Sequence, residues 1–447
     1  MRQRDEGTSN STDQTNSRRT FLRAAGATGV LGLTGLAGCT GNNPNNPNDG
    51  GGSDDTTTTE SGGSEETTTS GGSGDIGTVT YGVLSPMTGP YGGLAKGQRQ
   101  GAKLAVKHVN ESDAFDFTID AVYDDTEASA STGTRKAQKV VEQDDVNYLM
   151  GAISSSTALA LNEFAKDNSV IYNPGGAAVP ITGSSCNEWV FRAETNTAQI
   201  AEAVSEYTVN NLGTKVWFHI ADYAYGESVL ERTRSRMEEA NPDVEVVGTS
   251  RSQLGSKNFG SFISDISNSE AEVAVLGMTG GDLINFVNQA DSAGLKEDVN
   301  LMSPTMTFQV VRGALGAAAD GTYGGVRYVP HLDTGDNQAF VEAYTSEYGA
   351  EPDNFARVAY ESIRMTATGI QEAGTADPAA VKDVLPGLEM DTIFGKNQFR
   401  SCDHQAMNPT WMGKCVLGDG DTTEVELLKE VPGDEALPPC EDVGCSL

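Results

Sequence analysis

The chain has 447 residues and a formal net charge of −33, from 63 acidic and 30 basic side chains. Its length favours more than one folded unit, and its acidity argues against a nucleic-acid partner, because that function needs clustered lysine and arginine. The acidic residues are scattered, which is typical of the solvating surface of a halophilic protein; an acidic face for a cationic partner is the alternative.

The N-terminal segment, residues 1–38, predicts export. It contains the twin-arginine pattern "SRRTFLR" at 17–23, followed by an apolar stretch at 24–37 that is too short to span a bilayer. The stretch ends in "LAGC" at 36–39, which resembles a lipobox with Cys39 as the lipidation site. We therefore expect an extracytoplasmic protein anchored to the outer face of the cell membrane through lipidated Cys39.

Residues 39–75 predict a disordered linker behind this anchor. They are rich in threonine, glycine, serine and asparagine and have too few apolar side chains to form a core. Such a tether would let the folded part reach a partner in the membrane.

The remaining cysteines predict disulfide bonds, since the protein is expected to be exported. The sequence does not specify how they pair, and no Cys/His spacing indicates zinc. Cys440 and Cys445 are expected to anchor the C-terminal tail, with each other or with Cys402 or Cys415; the fifth cysteine is Cys186.

From residue 78 onward, short apolar strands alternate with amphipathic helices. The predicted strands of a first unit are 78–84, 117–123, 148–153 and 170–172, and its predicted helices are 94–109, 134–142 and 158–166. The alternation restarts near Thr195, with strands at 216–220, 244–248 and 273–276 and helices at 227–239, 259–266 and 283–293. Helices at 337–348 and 356–372 and a strand at 411–416 follow. This pattern predicts an α/β fold of two units, each a parallel sheet flanked by helices.

Serines at one strand-to-helix turn raise the question of catalysis. The stretch "GAISSST" at 151–157 lacks the G-x-S-x-G spacing of a nucleophile elbow. None of the four histidines, His108, His219, His331 and His404, lies in a metal-binding spacing. We therefore predict no enzyme activity, no metal and no cofactor. Hydroxyls and free N–H groups at such a turn suit an anion or a carbonyl.

Two further loops fit a ligand site. The small-residue turn "PGGA" at 174–177 lets backbone approach a ligand closely. Tyr91 and Tyr225 each precede glycine in loops of opposite units, where they could clamp a flat or apolar group.

The sequence resembles the solute-binding lipoproteins of ABC importers in the branched-chain amino acid (Leu/Ile/Val-binding) family. The resemblance extends over nearly all of the region after the linker. It is carried by "LSPMTGPYGGLAKGQRQGAKLAVKHVN" at 84–110, "DDTEASASTGTRKAQKVVEQDDVNYLMGAISSSTALAL" at 124–161, "NPGGAAVPIT" at 173–182, "WVFRAETNTAQ" at 189–199, "ADYAYGESVL" at 221–230 and "FRSCDHQAMNPTWMGK" at 399–414.

The resemblance implies a two-lobed clamshell of the type I periplasmic-binding-protein class with three crossovers between its lobes. Lobe 1 is expected to comprise residues 76–194 and about 328–390, and lobe 2 residues 195–327 and about 391–447. A monomer is expected to capture a small organic solute and deliver it to the permease subunits of an ABC importer. The alternatives are a ligand sensor of the same fold and a membrane-anchored serine hydrolase.

The resemblance also implies the site residues. It places the ligand-binding hydroxyl on Ser155, and the full set comprises Tyr91, Ser154, Ser155, Ser156, Gly175, Gly176, Ala177, Tyr225, Thr279, Thr305 and Phe355. Two positions depart from the amino-acid binders of the family: Ala177 stands where threonine is common, and Thr305 lies where a carboxylate for the ligand's ammonium group is expected. An amino acid, an amide and an aromatic carboxylate are therefore all candidate ligands.

Overall fold

The computed structural model describes residues 76–418 and 422–447. The predicted signal segment, the lipidation site Cys39 and the predicted linker lie outside these ranges. Within them, no helix combines the length and the apolar character that crossing a membrane requires.

Lobe 1 is built on a four-stranded parallel sheet with the strand order β2-β1-β3-β4. The strands are β1 (Gly77–Ser85), β2 (Phe117–Asp125), β3 (Tyr148–Gly151) and β4 (Ile171–Pro174). The inner strands β1 and β3 consist mainly of buried apolar residues, because both faces of a parallel sheet are covered by helices.

The helices that cover this sheet are α1 (Gly92–Glu111), α2 (Ala130–Gln143) and α3 (Ser155–Asn168). The chain returns to this lobe later with α9 (Asn337–Tyr348), α10 (Asn354–Ala373) and α11 (Pro378–Val384). Helix α1 packs against α10, and α2 packs against α3. Right-handed crossovers explain why these two pairs lie on opposite faces of the sheet.

Lobe 2 is built on a seven-stranded sheet with the order β13-β12-β9-β8-β7-β5-β6. Its parallel strands are β5 (Lys215–Ala221), β6 (Glu245–Ser252), β7 (Val273–Gly277), β8 (Asn300–Ser303) and β9 (Tyr323–Val326). Two antiparallel strands extend its edge, namely β12 (Thr410–Leu417) and β13 (Thr423–Val431). The predicted parallel sheet is thus confirmed, and the antiparallel edge is an addition to it.

The helices of lobe 2 are α4 (Thr197–Asn211), α5 (Ala224–Ala240), α6 (Gly260–Ser267), α7 (Gly280–Ser292) and α8 (Gln309–Leu315). Helices α4 and α5 pack together, and α7 contacts both α6 and α8. A buried cluster around Phe259, Leu283 and Phe286 and another around Val204, Val229 and Met237 form its core.

The chain passes between the lobes three times, which confirms the predicted clamshell topology. It passes from β4 to α4, from β9 to α9, and from the hairpin β10 (Met390–Thr392) and β11 (Gly395–Asn397) to β12. Isolated β-bridges join Arg192 to Gln405 and Pro386 to Phe399, so the backbone as far as residue 405 still pairs with segments of lobe 1. For this reason we propose that the third crossing lies near residue 407, rather than near the predicted 391.

The C-terminal tail is held by two disulfide bonds, Cys186–Cys445 and Cys402–Cys440, while Cys415 is buried and free. The bond between Cys440 and Cys402 is one of the predicted alternatives. The expectation for Cys445 was wrong: its partner is Cys186, which lies 259 residues away in the sequence. The fold brings the backbone of Val443 against Gly183, so this pairing depends on tertiary packing.

Candidate functional site

The candidate site lies where the carboxyl ends of the strands of the two lobes face each other. In lobe 1, Gly151 has a φ of +139°, and a Cβ there would lie 2.1 Å from the carbonyl oxygen of Leu84. The next residue, Ala152, has a φ of +58° and donates its N–H to that same carbonyl at 2.8 Å. Glycine is therefore required at this turn, which leads directly into the three serines.

Direct hydrogen bonds join the lobes around this site. The hydroxyl of Tyr91 donates to the hydroxyl of Tyr223 at 2.5 Å, and the N–H of Val179 donates to Ser228 Oγ at 3.0 Å. Another bond links the N–H of Gly281 to the carbonyl of Pro90 at 3.3 Å. These contacts show that the two lobes are closed onto each other.

A small chamber lies between the lobes, and the centre of a water molecule can occupy only about 10 Å³ of it. That is room for about one water molecule. Its lining comprises Ile153, Gly175, Ala177, Tyr223, Tyr225, Thr279, Thr305, Phe308, Arg327 and Phe355. The predicted residues Gly175, Ala177, Tyr225, Thr279, Thr305 and Phe355 are thus brought together around one space.

The three serines lie beside this chamber but are not part of its lining. Ser154 is the N-cap of α3, and its side chain makes no capping hydrogen bond. Ser155 Oγ accepts the N–H of Ala178 at 3.1 Å, and Ser156 Oγ accepts the N–H of Ala224 of lobe 2 at 3.4 Å. Ser155 therefore fixes the small-residue turn, and Ser156 joins the lobes.

Two other predicted site residues also have structural contacts here. Tyr91 is fully buried and points its hydroxyl at Tyr223, so Tyr223 and not Tyr91 lies beside Tyr225 in the chamber wall. A side chain at Gly176 would meet Ile181 and Ala158 at about 3 Å. Their direct roles in ligand binding remain predictions.

The polar atoms of the chamber wall differ in whether they have partners. Thr305 Oγ1 donates to the carbonyl of Met278 at 2.8 Å. Thr279 Oγ1 and Arg327 Nε are buried without a hydrogen-bond partner. Such atoms are rare in proteins, and both belong to residues of the chamber wall.

Sequence reasoning missed four residues of the chamber wall, namely Ile153, Tyr223, Phe308 and Arg327. Arg327 is the charged one among them, and it contacts Glu194. Its Nη2 donates to the hydroxyl of Tyr225 at 3.1 Å, and its Nη1 lies 3.7 Å from Glu194 Oε1. Arg357 approaches the same carboxylate oxygen at 3.6 Å. The available signal was an isolated charge inside an otherwise apolar run, "GGVRYVP" for Arg327.

Burial shifts the titration of groups around the chamber. It lowers the pKa of the Arg357 guanidinium and raises the pKa of the Tyr225 hydroxyl. Burial also raises the pKa of Asp282, in the first turn of α7, to about 6, although the Gly255 N–H opposes this shift. Ionised side chains are thus energetically unfavourable around this chamber, and each of them needs an oppositely charged or hydrogen-bonding partner.

Comparison with known proteins identifies relatives over most of the chain. Residues 78–421 match the family described as periplasmic binding protein. The leucine-, isoleucine-, valine-, threonine- and alanine-binding protein of Pseudomonas aeruginosa is 23% identical over 326 residues, which cover 72% of this chain and 86% of that protein. A Leu/Ile/Val-binding protein homologue of Brucella melitensis is 25% identical over 322 residues, covering 70% of this chain and 80% of the relative.

Solved structures share the fold. A periplasmic binding protein from Burkholderia mallei superposes with a TM-score of 0.76 at 23% identity, covering 83% of this chain and 99% of that one. A solute-binding protein of an ABC transporter from Rhodopseudomonas palustris, solved with 3,4-dihydroxybenzoic acid, gives a TM-score of 0.73 at 21% identity and covers 80% and 98% of the two chains.

Proposed function

The chain belongs to the periplasmic binding protein family, and we propose that it captures a small organic solute between its lobes and delivers it to the permease of an ABC importer. The observation that carries this proposal is the closed chamber, whose wall combines residues of both lobes at the carboxyl ends of their strands. The names of relatives point to amino acids, and one structural neighbour holds an aromatic acid. Amino acids, amides and aromatic carboxylates are therefore the solutes to test.

We further propose that the protein binds its solute without chemical turnover. In the part of the chain that the structure describes, no histidine is hydrogen-bonded to a serine of 154–156; His404, for example, stacks on Phe191 at 4.1 Å between ring centroids. Without a base beside it, a serine hydroxyl is a poor nucleophile.

The proposed location is the outer face of the cell membrane. Support comes from the sequence of residues 17–39, which combines the twin-arginine pattern, the apolar segment and Cys39 in that order. Membrane fractionation of the native protein tests the anchor, and we expect the protein in the membrane fraction.

The test of solute binding is a thermal-shift titration of the full-length chain in high salt with leucine, benzamide, benzoate and 4-hydroxybenzoate. A ligand at a hundred times its Kd adds about 2.7 kcal/mol to the free energy of unfolding. The variant Ala177→Leu fills the chamber and is expected to lose this shift, whereas Ala350→Leu at an exposed position keeps it. A shift that survives Ala177→Leu, or no shift with any solute, would contradict the proposal.

A further inference from the structure

Arg327 follows strand β9 directly and is the charged residue of the chamber wall. It is 1% exposed, and its guanidinium carbon lies 5.2 Å from the ring centroid of Phe308 and 5.8 Å from that of Tyr225. Its Nε has no hydrogen-bond partner. A guanidinium that is held in a chamber wall with one donor unsatisfied suits a carboxylate.

The buried charges around Arg327 do not balance. Glu194 faces both Arg327 and Arg357, at 3.7 and 3.6 Å, and its carboxylate already accepts hydrogen bonds from the Asn354 side chain at 2.9 Å and the Thr195 N–H at 2.8 Å. One carboxylate is therefore shared by two guanidinium groups, and neither approaches it within normal hydrogen-bond distance.

Two further carboxylates lie near these guanidinium groups, Asp403 near Arg192 and Glu361 near Arg357, and Asp403 is already paired with Arg400. Arg192 is fully buried, and its Nη1 donates to the carbonyls of Gly176 and Ala178 in the small-residue turn. Glu361 lies near Arg357, but burial raises the pKa of its carboxyl to about 7, so it carries less than a full negative charge at neutral pH. A ligand anion would supply the missing charge, and an unbalanced buried cation costs several kcal/mol.

An ammonium group would have no partner in the same chamber. The lining contains no aspartate or glutamate. Both oxygens of the nearby Asp282 accept the N–H of Gly255, at 3.1 and 2.9 Å, and Thr305 donates its hydroxyl to Met278. The ammonium group of an amino acid would thus be buried beside Arg327 without an anion.

The rest of the wall suits a flat apolar body. Phe308 and Phe355 meet edge to face with 5.6 Å between their centroids, and Tyr223 and Tyr225 lie 6.0 Å apart. The unpartnered hydroxyl of Thr279 could bind one further polar substituent.

This closed structure leaves room for about one water molecule between the lobes, so a solute requires the lobes to move apart. We infer that the residues of the chamber wall then select a compact, flat carboxylate without an ammonium group, whose carboxylate is bound by Arg327. This inference rests on the proposed solute-binding function and narrows the class of solute. Arg327 determines which charge the solute carries, and the aromatic side chains of the wall favour a solute with a flat apolar body.

The experiment compares three probes that share one ring on the full-length chain by isothermal titration calorimetry: benzoate, its uncharged counterpart benzamide, and phenylalanine, which adds an ammonium group. Benzoate is expected to bind most tightly. Arg327→Gln should weaken the binding of benzoate by roughly 10- to 150-fold, the range for losing a hydrogen bond to a charged group. It should leave the affinity for benzamide nearly unchanged. Arg234→Gln, at an exposed position of lobe 2, serves as the control and should keep the full preference.

The comparison of probes on the unsubstituted protein needs no variant, so it tests the inference even if Arg327→Gln does not fold. Tighter binding of phenylalanine or leucine than of benzoate would overturn the inference while leaving the solute-binding function intact. An unchanged benzoate-to-benzamide ratio in a folded Arg327→Gln variant would also overturn it. If no solute binds, both proposals fail.

Discussion

Glu361 shows what burial does to a single side chain in this protein. It lies in α10, is 3% exposed, and its Oε1 has no hydrogen-bond partner. Burial raises the pKa of its carboxyl from 4.5 to about 7, against the opposing charges of Arg364 and Arg357. Because the folded-state pKa is the higher one, folding favours the protonated form, so this group lowers the free energy of unfolding progressively as the pH rises from about 4.5 to about 7.

The substitution Glu361→Gln should therefore stabilise the protein at pH 8, and this advantage should disappear as the pH falls towards 5. Glutamine has the shape of the protonated acid, so the two stabilities converge as the pH approaches 4.5, where Glu361 becomes protonated in the unfolded chain as well as in the folded one. Urea unfolding at both pH values measures the difference. Glu426→Gln, at an exposed position, is the control and should show no such change. An advantage that grows on acidification would contradict the assignment of the shift to burial.

Some residues of the site are predictable from the sequence and others are not, for physical reasons. The loops that contribute Gly175, Thr279 and Phe355 follow recognisable strands or begin a recognisable helix, and strand ends collect in one place in an α/β fold. The bond from Ala178 to Ser155 depends on how two loops pack, and nothing local indicates it. The role of Arg327 is likewise not visible in the sequence, since only the fold shows that this residue belongs to the chamber wall.

At the scale of elements, the contact between α1 and α10 depends on Gly101 having no side chain. A Cβ at Gly101 would lie 2.0 Å from the carbonyl oxygen of Ala356, whereas one at Gly97, a turn earlier, would meet the same residue at 3.8 Å. The first distance is a clash with backbone, and the second is ordinary van der Waals contact. The two glycines therefore differ although both are in one helix.

Gly101→Ala is expected to lower the free energy of unfolding by roughly 1–3 kcal/mol, because α1 and α10 must separate. Gly97→Ala should be neutral or stabilising by up to about 1 kcal/mol, because alanine favours the helix. Chemical unfolding of both variants tests this contrast. Equal stability of the two variants would mean that the helices are not packed as closely as the structure shows.

Elements with a strong pattern were predictable, and others were not. The predicted helix at 337–348 coincides with α9, and the predicted strand at 148–153 contains β3. Helix α4 was missed although Asn196 and Gln199 form a capping box at its start. Strand β9 was missed because its glycines weaken the pattern; a Cβ at Gly324 would lie 2.5 Å from the Ser303 carbonyl in the neighbouring strand, so close strand packing requires them.

At the scale of the whole molecule, the C-terminal tail links the two lobes in addition to the three crossings. After β13 it packs against α4 of lobe 2, and one disulfide bond then joins it to Cys186 of lobe 1. The other joins it to Cys402, which lies before the third crossing that we propose. Arg400 strengthens this attachment by donating to the carbonyl of Pro438 at 2.8 Å. Because Asn408 donates to the carbonyl of Ala193 at 2.8 Å, two of the crossings lie side by side. We therefore expect the lobes to move relative to each other by bending about these crossings.

The acidic balance of the chain makes stability depend on salt. With a net charge of −33, repulsion between surface carboxylates opposes the compact state. Salt screens it, since the Debye length falls from about 10 Å at 0.1 M to about 3 Å at 1 M. We therefore expect the free energy of unfolding to rise steeply with potassium chloride up to about 1 M.

A variant with fewer charges separates screening from general effects of salt on hydrophobic burial. Neutralising exposed acids of both lobes, by Glu163→Gln, Asp167→Asn, Asp243→Asn and Asp265→Asn, should raise stability at low salt and reduce its dependence on potassium chloride. Chemical unfolding of both proteins across the salt series measures the two slopes. If the slopes are equal, the salt effect comes from stronger burial of apolar surface, and charge repulsion would then not be what limits this fold at low salt.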